Sequence, residues 1–253
     1  QVTVHVMIPP GASPEQFEPS PSQIKSLSQS LIFFSVGADL EKSWLPRIRK
    51  QMKGLRIVDV GTPFAQRSFL PSEKEKHHDR HHGHHHSGHK DPHLWTDPIM
   101  LIKMSEMVAV ELKKFFPNDS AAIESRLEQF REKMNNVDQQ ISQLLKDHRG
   151  EVLLVFHPAW GYFADRYGLH QMAIEQAGRS PGPRMLAATI AKAKEVGAKA
   201  IFVQAQMNQS VAQAIAQELK IPVIEIDPLA YAPERSLLEA AQKIAQHLDK
   251  RSP

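Results

Sequence analysis

The chain has 253 residues, 41% of them hydrophobic, and a formal net charge of +3. This is enough apolar material for two ordinary cores, and the basic and acidic residues are interspersed rather than striped, so no nucleic-acid partner is expected. It contains no cysteine, which excludes disulfides, thiolate metal sites and thiol nucleophiles, and no apolar run approaches the roughly eighteen residues that span a bilayer.

In chain order, Val2 to Ile8 alternates apolar and polar residues in the manner of a strand, and Pro9-Pro10-Gly11 ends it. A loop containing Glu15 and Glu18 leads to a helix from Ser22. Leu31 to Phe34 and Leu55 to Val60 are further strands with helical stretches between, the alternation of an α/β domain with a mainly parallel sheet. Between Lys76 and Lys90 stand His77, His78, His81, His82, His84, His85, His86 and His89, eight of the chain's fourteen histidines. Neutral imidazole is a ligand for borderline metals such as zinc, and the tract is internal and irregular, unlike an expression tag.

Past Asp91-Pro92-His93-Leu94-Trp95 a helix runs from Pro98 to Phe116 and Pro117 stops it. A longer helix follows Asn118-Asp119-Ser120. Its apolar residues Ile123, Leu127, Phe130, Met134, Val137, Ile141 and Leu144 recur at steps of four and three, as in a coiled coil or a stiff helix packed against two lobes. We read it as the second. The alternation then restarts: strand Val152 to Phe156, helix Ala159 to Tyr167, helix Leu186 to Val196, strand Ala200 to Val203, helix Ser210 to Leu219, strand Pro222 to Ile226 and helix Glu234 to Leu248. The expected architecture is α/β: a first lobe over residues 1–117 carrying the histidine-rich loop 76–90, a linking helix over 118–150, and a second lobe over 151–253.

His157 directly follows one predicted strand and Asp227 another, and the carboxyl edge of a parallel sheet is where ligand crevices form. Taken singly, each precedes a proline and reads equally well as a turn former. Together with His93 beside the histidine tract and Glu15 past a strand end, they suggest a metal site.

Five ordered motifs sharpen this reading. They are Pro9-Pro-Gly-Ala-Ser-Pro-Glu-Gln-Phe-Glu-Pro-Ser-Pro21, Val36-Gly-Ala-Asp-Leu-Glu41, Asp91-Pro-His-Leu-Trp-Thr-Asp-Pro98, Phe156-His-Pro-Ala-Trp-Gly-Tyr-Phe163 and Ile226-Asp-Pro-Leu229. In this order they resemble the landmarks of ABC-transporter metal-binding proteins of the ZnuA/TroA class, over essentially the whole chain.

The resemblance implies an extracytoplasmic solute-binding protein, periplasmic or at the cell surface after loss of a signal peptide. It implies two lobes, a rigid linking helix and one divalent metal in the cleft, delivered to a membrane permease by a monomer. By position His93, His157 and Asp227 match the second, third and fourth ligands of the class. Glu15 stands where a histidine is usual, and Gln204-Ala-Gln206 replaces Glu-Pro-Gln. Members usually carry a strand and helix ahead of the segment matching Val2, so the chain is expected to be shortened there. Zinc is the expected metal because histidine-rich loops accompany zinc import in this class, where such a loop would bind further zinc weakly. Two imidazoles and two carboxylates also suit Mn2+ or Fe2+. The readings from other classes are a zinc-dependent hydrolase with Glu15 as general base, which lacks a His-Glu-x-x-His helix, and a metallochaperone, which lacks a Gly-x-x-x-x-Gly-Lys loop.

Overall fold

The computed structural model describes residues 2–9, 11–12, 17–65, 67–68, 90–175, 182–207 and 209–249. In the first half, α1 (Pro21–Ser28) precedes strand β1 (Ile32–Ser35), helix α2 (Asp39–Gln51) and strand β2 (Arg56–Asp59). The two strands pair in parallel, Ile32 opposite Arg56 and Ser35 opposite Asp59. Parallel neighbours require a crossover, and α2 supplies it. Glu41 secures the entry to α2: its carboxylate accepts from the backbone N–H groups of Val36, Gly37 and Ala38 at 3.2, 2.7 and 3.1 Å. Gly61, just past β2, closes this end of the pair, since a Cβ there would lie 2.1 Å from the Val36 carbonyl oxygen.

After a 3-10 turn at Leu94–Thr96, helix α3 (Pro98–Phe115) and helix α4 (Ser120–Leu145) follow. Asp97 caps α3, accepting from Ile99 N–H at 2.7 Å, with Pro98 in the first helical position. Proline there is preorganised for a helix and has no N–H to leave unsatisfied. Proline likewise opens α1, so that this helix starts one residue ahead of the predicted Ser22.

The second half is built on a four-stranded, all-parallel sheet of order β4-β3-β5-β6, comprising β3 (Val152–Val155), β4 (His170–Ala173), β5 (Ile201–Val203) and β6 (Val223–Glu225). The helices between and after them are α5 (Gly161–Tyr167), α6 (Pro183–Glu195), α7 (Ser210–Leu219) and α8 (Pro233–Leu248). Leu153, Val155 and Phe202 bury one face of the sheet against α4, α5 and α8. Leu154, Phe156, Ile201 and Val203 bury the other against α6 and α7. Coverage of both faces explains why these strands read as continuous apolar runs. The chain leaves β3 toward β4 and leaves β5 toward β6, so strand order reverses between β3 and β5, the kind of switch at whose carboxyl ends parallel sheets form ligand crevices.

Two expectations are corrected. Residues 2–9 form no strand: Val2, Val4 and Val6 are 58, 78 and 53% exposed, and their alternation meets no partner strand among the described residues. The strand β4, unforeseen in the sequence, lies at the edge of its sheet, where His170 and Gln171 need not be apolar. In α4 the buried stripe is Leu127, Met134, Val137, Ile141 and Leu145, whereas Leu144 is 37% exposed. A straight helix repeats every 3.6 residues, so the inward position moves from Leu144 to Leu145 by the last turn. This helix packs on α3 and on α5 and α8. Met134 and Ile141 have no solvent exposure, and Ile141→Ala is expected to lower stability by about 2–5 kcal/mol, measured by urea unfolding of the apo-protein.

Candidate metal centre

His93 caps the turn at Leu94–Thr96. Asp91, wholly buried, holds it twice: Oδ1 accepts from the His93 backbone N–H at 3.0 Å and lies 2.7 Å from its ring Nδ1. The hydroxyl of Thr96 donates to the His93 carbonyl. His157, two residues past β3, is held the same way, its Nδ1 lying 2.8 Å from Oε2 of Glu175. Glu175 is buried two residues past β4. An ionised carboxylate only accepts hydrogen bonds, so each ring carries its proton on Nδ1 and presents Nε2 as the basic nitrogen.

The two Nε2 atoms face each other at 3.4 Å, with the rings 78° apart. Two nitrogens bound to a tetrahedral zinc at about 2.0–2.1 Å lie roughly 3.3 Å apart. The separation therefore fits one metal between the rings. Trp95 packs edge-on against His93, with ring centroids 5.2 Å apart, and both imidazoles are under 10% exposed. Their orientation is thus fixed by packing as well as by hydrogen bonds.

The structure brings together His93 and His157, from opposite halves of the chain. Asp227, two residues past β6, is ordered by other contacts: Oδ1 accepts from Leu229 N–H at 2.9 Å and from Gln206 Nε2 at 3.1 Å. Among the described residues no group of three histidine, aspartate or glutamate side chains forms a metal cluster, so Asp227 is not gathered to the pair in this conformation. Glu15 lies outside the described residues, as do His77, His78, His81, His82, His84, His85, His86 and His89.

Sequence reading missed the roles of Asp91 and Glu175. Asp91 carried a signal in its position, two residues before a ligand candidate with proline between. Glu175 carried none, because the strand that delivers it was itself unforeseen. Close to this centre the two halves are tied by charge. Arg166 of α5 reaches Asp97 at 3.5 Å, and its Nη2 donates to Asp138 of α4 at 2.7 Å. Burial raises the Asp97 carboxyl above its ordinary pKa against the opposing pull of Arg166. Burial also raises the Tyr167 phenol, which donates to Asp138.

The chain matches, over residues 1–250, the family model described as ZnuA, zinc-uptake complex component A, periplasmic. It belongs to this family. It is 30% identical over 220 residues to the high-affinity zinc uptake system protein ZnuA of Bacillus subtilis (strain 168), which spans 85% of this chain and 68% of that protein. It is 24% identical over 248 residues to the zinc-binding protein AdcA of Streptococcus pyogenes, covering 92% of this chain but 47% of AdcA, so it spans about half the length of that relative. Among solved structures, one of ZnuA superposes with a TM-score of 0.83 at 30% identity, over 98% of this chain and 91% of that one. A ZnuA deletion mutant with zinc bound gives 0.84 at 29% identity, over 99% and 91%. The ZnuA fold is thereby established for this chain: α/β, with parallel sheets and a long helix.

Removing the carboxylate behind a ligand imidazole typically costs 10- to 100-fold in metal affinity. Glu175→Gln keeps the shape but allows the amide to present a donor to Nδ1. Zinc affinity is expected to fall by about 10- to 100-fold with the apo-protein still folded, as read by competition with a chromophoric chelator.

Proposed function

We propose that this protein captures zinc outside the cytoplasm and delivers it to the membrane permease of an ABC importer. The observation that carries the reading is the pair of imidazoles, one from each half of the chain, preset by buried carboxylates with their Nε2 atoms 3.4 Å apart. Zinc is the cargo, held by His93 and His157, with Asp227 and Glu15 completing its coordination. Membership of the zinc-uptake family and the zinc named in its relatives support zinc over Mn2+ or Fe2+. They also support transport over the hydrolase and metallochaperone readings. The periplasmic description of the family supports the compartment, and no helix among the described residues is long and apolar enough to cross a membrane.

Asp227 has the chemistry to complete the site, at the carboxyl end of β6 in the same sheet that leads to His157. Its Oδ1 is engaged by Gln206 and Leu229, both donors, which leaves Oδ2 for a cation. The histidine tract, outside the described residues, is assigned to weaker, additional zinc binding on its sequence alone, eight histidines within fifteen residues.

A ligand that binds only the native state at about 1,000 times its Kd stabilises it by about 4 kcal/mol. Zinc is therefore expected to raise the melting temperature of the apo-protein by several degrees, and His157→Ala or Asp227→Ala to remove most of that rise. Persistence of the full shift in both variants refutes the assignment, and tighter binding of manganese than zinc in equilibrium competition refutes the choice of metal. Glu15 has its own test. Glu15→Gln is expected to weaken the tight site, and Glu15→His to restore zinc binding while penalising manganese; unchanged zinc affinity in Glu15→Gln removes it from the ligand set. Deletion of residues 76–90 is expected to lower zinc stoichiometry while one tight site persists, as counted by titration calorimetry.

A further inference from the structure

Asp91 holds His93 with one oxygen and has a second to satisfy. That second oxygen, Oδ2, is buried and has no hydrogen-bond partner, and the same is true of Arg67 Nε, 3.3 Å away. The two atoms form an ionic contact that compensates a carboxylate with no solvent exposure. Arg67 also reaches out of its own half. Its guanidinium donates through Nη1 to Asp165 of α5, and its backbone N–H donates to the Tyr162 hydroxyl at 3.2 Å. Tyr162 in turn donates to the Asp91 carbonyl at 3.1 Å. The backbone closes the arrangement: Asp91 N–H donates to the Arg67 carbonyl at 3.0 Å, and Ser68 bridges Lys90 in antiparallel fashion.

Gly161 makes room for this. A Cβ at that position would lie 2.2 Å from Arg67 Nε. Glycine is otherwise a poor helix residue, about 1 kcal/mol worse than alanine, and nothing in the backbone of α5 requires it, so the space it leaves for the arginine is its physical rationale here. Arg67 thus lies across the start of α5, between Asp91 and Asp165, far along the chain from both His93 and His157 yet one contact from the carboxylate that aims His93.

We propose that Arg67 is a positioning residue for the metal centre: acting through Asp91, it fixes the orientation of the His93 imidazole and ties that orientation to the opposite half of the molecule through Asp165 and Tyr162. This rests on the reading of His93 as a zinc ligand. Arg67 touches neither zinc nor imidazole. Without it, the charge of Asp91 would be buried with no cation beside it, and the carboxylate would turn toward whatever donor or water it could reach. The His93 ring would lose its fixed geometry, and the halves one of the arginine ties seen near the site among the described residues.

The test uses the full chain with three substitutions. Arg67→Gln removes the cation, Gly161→Ala pushes the guanidinium from Asp91 while keeping its charge, and Asp165→Asn loosens the solvent-exposed end. Zinc affinity is measured by chelator competition, and the His93 and His157 ring protons by long-range 1H–15N NMR of the apo-protein. Arg67→Gln and Gly161→Ala are expected to weaken zinc binding about tenfold, the lower end of the range for residues behind a ligand. They are also expected to shift the His93 Nδ1–H resonance while leaving that of His157 in place. Asp165→Asn is expected to act in the same direction to a smaller extent. A general loss of packing would move both histidines together, which overturns the proposal, as does a folded Arg67→Gln or Gly161→Ala protein with wild-type affinity and an unmoved His93 signal. His93→Ala separates the two levels: if it leaves zinc affinity intact, the ligand assignment fails, whereas if it abolishes tight binding and the Arg67 and Gly161 variants change nothing, only the role of Arg67 fails.

Discussion

Everything at this centre depends on two buried carboxylates placed behind two imidazoles. Asp91 and Glu175 each accept from Nδ1, and the consequence is two basic Nε2 atoms facing each other at 3.4 Å. In a dry, packed site such a pair of lone pairs repels unless a proton or a cation lies between them. The protein tolerates the arrangement because each ring is held from behind at a cost already met by folding. On the proposed reading, metal binding needs little reorganisation of these two imidazoles, which favours affinity in the way that preorganisation generally does.

Holding the rings requires holding the halves that bear them. The first core includes Tyr162, which belongs to α5 of the second half, and the second core includes Ile102 of α3 together with the inner face of α4. Apolar packing alone is non-directional and would allow sliding. The charged contacts supply direction: Arg67 to Asp91 and Asp165, and Arg166 to Asp97 and Asp138, all converge on α5 or on residues flanking His93. Helix α5 begins four residues after His157, so the same short element that follows one imidazole of the pair docks beside the other.

Most of the second half was legible in the sequence because its strands are buried on both faces and its helices carry an apolar stripe, which are strong local signals. His93 and His157, which the structure brings together, were legible as candidates for a related reason: each sits in a recognisable motif. What escaped was whatever the sheet decides at long range. The strand β4 is a polar edge strand, and without it Glu175 has no visible relation to His157, eighteen residues away. Arg67 was equally invisible, since its partners Asp91, Tyr162 and Asp165 are adjacent only after the halves dock. Conversely, the alternation of Val2 to Ile8 suggested a strand although pairing, not periodicity, is what makes one.

Charge balance explains why the centre suits a dication rather than a neutral ligand. Asp91 has Arg67 beside it, so the first half of the site is close to neutral before metal arrives. Glu175 is buried as well, and among the described residues its ionic contact is with His157. A cation at Nε2 polarises the ring and strengthens the Nδ1–H bond to Glu175. Asp227, anchored at one oxygen by Gln206 and Leu229, is a further carboxylate of the second half. A cation at the pair would thus meet a buried carboxylate behind each ring, the one behind His93 already balanced by Arg67.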